Sequence, residues 1–132
     1  MSLFNYHQIK SSSQEKIHIS VDDTNQLHRL SLEFILQELK KPFDGKIVVM
    51  THHVPSFETI GLDMRFSNLR EAFCSNLDAV FRDHFQINLW IHGHAHDFSQ
   101  IKLYNTIIAR NPLGYVYRNE HLDFKRDFSV EI

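Results

Sequence analysis

A single cysteine, Cys74, is all that this 132-residue chain contains. No internal disulfide can form, and the expected setting is a reducing cytoplasm. Apolar runs of membrane-spanning length are also missing, and the opening MSLFNYHQIK lacks a signal-peptide core. There is no excess of basic charge either. The net charge is −2, so neither nucleic acid nor an anionic membrane is an expected partner. Hydrophobic residues make up 42% and charged residues 23%, an ordinary balance that excludes a disordered chain or a coiled coil. The length suits one domain with a core, and residues 1–132 are read as such.

What is abundant is histidine, with ten residues, and phenylalanine, with eleven. KIHIS, 16–20, alternates as a short strand. VDDTNQ opens a helix with Asp22, Asp23 or Thr24 as its cap. Leu27, Leu30, Phe34, Ile35 and Leu39 continue at helical spacing until Pro42. KIVVM, 46–50, and INLWI, 87–91, are short, continuously apolar and rich in β-branched residues, as in buried strands. Between them, 67–85 reads as a second amphipathic helix capped by Ser67 or Asn68. QIKLY and TIIAR form a hairpin about Asn105, NPLGY is a turn, and FSVEI, 128–132, is a last strand. The order implies an α/β or α+β fold, with a mixed sheet flanked by two main helices.

Each of the two buried strands ends in histidines. KIVVM runs into Thr51, His52, His53, Val54 and Pro55. INLWI runs into His92, Gly93, His94, Ala95 and His96. The carboxyl edge of an open α/β sheet is where sites form, and neutral imidazole is a common ligand for divalent transition metals. Gly93 is expected to provide the sharp turn that aims His94 and His96 inward. A lone H-x-H is more often a surface accident; two such loops after two buried strands favour a site.

THHVPS together with LWIHGHAH resembles the last two metal-binding motifs of the calcineurin-like metallophosphoesterases. The helix SNLREAFCSNLD, the turn NPLGY, the closing VEI and the early NYHQI are similar to a bacterial branch of that family. The resemblance implies half of a metallophosphoesterase-type sandwich and a centre that hydrolyses phosphate esters with divalent metals, Mn, Fe or Zn. His94 and His96 would be ligands, and the family's H-x-P element points to His53. His52, His92 and Asp97 would stand behind the ligands and orient them. Asn111 and Tyr115 would shape the substrate side; apart from the resemblance, the guanidinium of Arg110, close to the NPLGY turn, suits a phosphate by its chemistry. A catalytic residue has no counterpart here.

The family's D-x-H, G-D and G-N-H motifs have no match. No histidine has Asp two positions before it, no glycine is followed by Asp, and no Asn-His pair occurs. The chain therefore looks like the carboxyl-terminal half of the fold. Three neutral imidazoles offset no second dication, so one ion per chain and weak or absent turnover are expected. A half sandwich would also leave an apolar face, to be covered by a homo-oligomer or by the missing amino-terminal half. The competing expectation is an inactive remnant that serves as a binding or assembly module.

Overall fold

The computed structural model describes residues 19–61 and 70–132. The chain divides into two compact units, one ending at Phe43 and the other beginning at Asp44. Most of the expected strand 16–20 and the expected caps Ser67 and Asn68 lie outside the described residues.

In the first unit, helix α1 spans Val21–Leu39. Its cap is Ser20, one turn earlier than the expected cluster. Ser20 Oγ accepts the Asp23 backbone N–H at 3.1 Å, and Asp23 Oδ2 accepts the Ser20 N–H at 2.8 Å. Asp23 thus belongs to a reciprocal capping box as its third helical residue. No helix among the described residues is long and apolar enough to cross a membrane.

The second unit is built on a mixed four-stranded sheet, and the fold is α+β. Its strands are β1 (Ile47–Met50), β2 (Ile87–Ile91), β3 (Ser99–Leu103) and β4 (Thr106–Arg110), in the order β1-β2-β4-β3. β1 and β4 each run parallel to β2, while β3 and β4 form the expected antiparallel hairpin. The central strands β2 and β4 are buried almost throughout, and β3 alternates along its length. That contrast follows from covering both faces of inner strands but only one face of an edge strand. Trp90 and Phe81 are fully buried and meet edge to face, 5.1 Å between ring centroids. Burial of each contributes about 2–3 kcal/mol.

The helix expected over 67–85 is interrupted. Its described part consists of α2 (Arg70–Phe73) and α3 (Asp78–Asp83). Between them the chain turns aside to pair with the loop after β1. Cys74 forms a parallel bridge with Val54. Val54 N–H donates to Phe73, while Ser75 and Leu77 N–H donate to Val54 and Pro55. These long-range bonds replace the helical ones at the same positions, and the buried backbone stays satisfied. The expected strand 128–132 does not form; those residues are irregular. Phe128 instead packs against Phe98, 5.1 Å between centroids.

Candidate functional site: two histidine loops at one sheet edge

Because β1 and β2 are parallel neighbours, their carboxyl ends leave the sheet on the same side. Adjacent strands lie only about 4.8 Å apart. The ladder also continues past both strands. Thr51 N–H donates to Ile91 C=O at 3.0 Å, Gly93 N–H to His52 C=O at 3.0 Å, and His92 N–H to Ala109 C=O at 3.1 Å. The two histidine loops are therefore held by backbone bonds. Side chains add to this: Trp90 Nε1 donates to Thr51 Oγ1 at 2.9 Å, and Thr51 Oγ1 lies 3.3 Å from His53 C=O.

This frame brings His52, His53 and His94 into one triangle. Ring centroids are 5.5 Å apart for His52–His53, 5.1 Å for His52–His94 and 4.7 Å for His53–His94. His94 Nδ1 stands 3.3 Å from His52 Nε2. Two nitrogens bound at about 2.0–2.1 Å to one tetrahedral ion lie about 3.3–3.4 Å from each other. The His52–His94 pair thus has the spacing of two donors sharing a cation. Among the described residues, no three His, Cys, Asp or Glu side chains already surround one point, so the fit extends to a pair of donors. Burial pushes the His94 imidazolium down to about 4, and the neighbouring His53, His52 and His96 add to the effect. A neutral ring with an available lone pair is the form that a metal requires.

The turn in the second loop is made by His94, not by Gly93. His94 has φ +64°, whereas Gly93 has no positive φ. The left-handed region is uncommon for a residue with a side chain, and histidine is among those enriched there. A Cβ at Gly93 would make only ordinary contacts, 3.4 Å from His52 Nδ1, so neither the turn nor space requires glycine there.

His96 is engaged elsewhere. Its Nδ1 lies 2.8 Å from Glu120 Oε2, which also accepts the Tyr115 N–H at 2.7 Å. The Tyr115 ring meets the His96 ring edge on at 4.7 Å. The Tyr115 hydrogen bond, then the one from His96, holds the Glu120 carboxyl below its ordinary range against some desolvation. Tyr115 is thus a neighbour of the histidine loop.

Three residues expected near ligand or substrate have structural partners. Arg110 is buried, its side chain 1% exposed. Nε donates to Asp97 C=O at 2.8 Å, one terminal nitrogen pairs with the Asp97 carboxylate, and the other donates to Thr59 C=O. Thr59 lies in a 3-10 turn, Phe57–Thr59, on the chain that follows β1, and Asp97 follows the histidine run after β2, so one guanidinium ties both loops together. Asp97 orients Arg110 rather than accepting a hydrogen bond from an imidazole. Asn111 clamps the tail, giving a hydrogen bond to Lys125 C=O at 2.7 Å and accepting the Lys125 N–H at 2.9 Å.

His92 is buried beside this clamp. Its Nδ1 is 3.2 Å from Gly93 C=O, and Nε2 has no protein partner. With Arg110, Phe128 and Val130 it lines a hollow of about 390 Å³. Burial lowers its pKa to about 4. Cys74, also buried, has its thiol pushed up to about 12, chiefly by desolvation; a thiol so protonated is a poor nucleophile and metal ligand.

The family resemblance pointed to His53, His94 and His96 and left Glu120 out. Nothing in the local pattern marks Glu120, which lies 24 positions after His96. His52, expected behind the ligands, places its Nε2 3.3 Å from His94 Nδ1.

No family model matches the chain, and no solved structure matches it. The chain is similar to an uncharacterized protein, L509, of Acanthamoeba polyphaga mimivirus. The two are 32% identical over 130 residues, which is 92% of this chain and 45% of the relative. The chain thus spans less than half the length of the curated relative it matches.

Proposed function

We propose that the second unit carries ligand loops of a metal-dependent phosphoesterase of the calcineurin-like kind. The observation that supports this most is the meeting of His52, His53 and His94 where β1 and β2 end. His52 Nε2 and His94 Nδ1 would be the first two donors to a divalent Mn, Fe or Zn ion. His53 is within reach of the same ion by a rotamer change, and His96 stands two residues beyond His94. When bound, such an ion polarises a phosphoryl oxygen and lowers the pKa of water. The chain's own part is to hold neutral imidazoles at a fixed edge, with Arg110 keeping the two loops in register.

Imidazoles alone bring no negative charge to offset a second dication. The chain by itself is therefore assigned one ion, held weakly, and little turnover. The acidic and asparagine ligands that the family uses have no counterpart in these 132 residues. Full activity on a phosphate monoester or diester would need them from another segment, in cis or in trans.

The test is an assay of an aryl phosphate diester with Mn²⁺, run beside metal analysis, for wild type and His94→Ala. One ion per chain and a weak Mn²⁺-dependent rate, both lost in the variant, are the expected results. No metal uptake and no metal-dependent rate would leave the reading as a binding or assembly module. Two tightly held ions per chain would contradict the assignment of one.

A further inference from the structure

We propose that Glu120 is the positioning residue that holds His96 in its Nδ1–H tautomer and so leaves the Nε2 lone pair as the donor His96 offers. The proposal rests on the metal-centre reading for the use made of that lone pair; the tautomer itself follows from the contacts.

Glu120 Oε2 receives the Tyr115 backbone N–H at 2.7 Å and faces His96 Nδ1 at 2.8 Å. A backbone N–H only donates, so this oxygen is an acceptor, and an ionised carboxylate has no proton to give. The proton of the second contact therefore sits on Nδ1. In a neutral imidazole the other nitrogen, Nε2, then bears the lone pair. Water favours the opposite tautomer for an unconstrained histidine, so this one has to be selected.

The surroundings fit selection rather than an incidental surface contact. Gly114 has φ +64°, and a Cβ on it would stand 2.6 Å from Glu120 Cβ and 3.3 Å from His96 Cβ. Only glycine leaves room there for the carboxylate to reach the ring. The Tyr115 ring, edge on to His96 at 4.7 Å, limits rotation of the imidazole. A carboxylate behind a ligating imidazole fixes its orientation and raises its basicity. Glu120 would do for His96 what, among the described residues, no carboxylate contact does for the His52–His94 pair.

Long-range ¹H–¹⁵N spectra of the full chain at pH 7.5 read the His96 ring without any metal. In wild type, Nδ1 is expected to be protonated and Nε2 unprotonated. Glu120→Gln keeps an amide oxygen that accepts both hydrogen bonds, and should keep the tautomer. Glu120→Ala should release the ring to a mixture dominated by Nε2–H. Titration with Co²⁺ alone should then weaken by roughly 10–100-fold in Glu120→Ala and by less in Glu120→Gln. A wild-type His96 that is Nε2–H or doubly protonated overturns the inference, as does an alanine variant with unchanged tautomer and affinity. Should Glu120→Ala fail to fold, the wild-type and Gln spectra still decide. If the tautomer follows Glu120 yet wild type takes up no Co²⁺, the metal-centre reading falls instead.

Discussion

Two imidazoles of one loop, His94 and His96, are held in opposite ways. His94 faces other imidazoles: His52 Nε2 is 3.3 Å from its Nδ1, with His53 alongside. His96 faces a carboxylate that is itself anchored by a backbone N–H. In the first arrangement the partner of His94 Nδ1 is another imidazole, and burial favours the neutral ring, with the neighbouring histidines adding to it. In the second, the carboxylate dictates which nitrogen keeps its proton. One loop thus combines an imidazole set against other imidazoles with a ring oriented in advance by a carboxylate.

Removing His94 should break the comparison most severely, since it touches both other imidazoles of the triangle. His94→Ala is expected to weaken Co²⁺ binding by roughly 100-fold or more, beyond the usual loss from an outer partner, as measured by calorimetry. His52→Ala should lose affinity as well, whereas unchanged binding in that variant would return the ligand role to His53 alone.

Arg110 underlies both arrangements because it bonds to both loops, at Thr59 and at Asp97. Arg110→Met should destabilise the protein by about 2–3 kcal/mol in urea unfolding. This is somewhat below the loss of a fully buried pair, because Asp97 is half exposed.

Acid should sharpen the contrast. Folded His92 and His94 titrate at about 4, against about 6.5 in an unfolded chain. Between those values the unfolded chain binds more protons, so stability rises with pH there and is lost as pH falls from 6.5 towards 4. His92→Gln should flatten the dependence of the urea midpoint on pH in that window; an unaltered slope would count against a buried neutral His92. At Gly114 an added Cβ would stand 2.6 Å from Glu120 Cβ, so Gly114→Ala is expected to destabilise the protein by more than the roughly 1–2 kcal/mol of the left-handed backbone alone in urea unfolding. It should also disturb the His96 ring signals while leaving those of His52 and His94 in place.

How much of this was legible in the residues depended on how local the cause was. β2 was readable to the residue, since INLWI is a continuous apolar run with its own boundaries. The hairpin about Asn105 followed from its two flanking runs. The break between α2 and α3 was not readable, because its cause is pairing of Cys74 with Val54, twenty positions away. FSVEI alternates like a strand, yet among the described residues no strand pairs with it. The loop histidines were legible as a set, whereas their division into a triangle and a carboxylate pair was not. That division depends on Glu120, which sits in a short turn after Asn119 at φ +62°. Arg110 read as a phosphate ligand by its chemistry, but burial and three partners made it a clamp.

The most direct measurement is a zinc-edge anomalous difference map of crystals soaked in Zn²⁺. The account predicts one peak about 2.0–2.1 Å from both His52 Nε2 and His94 Nδ1. A saturating soak that leaves this point empty, with zinc only at other histidines, would contradict it.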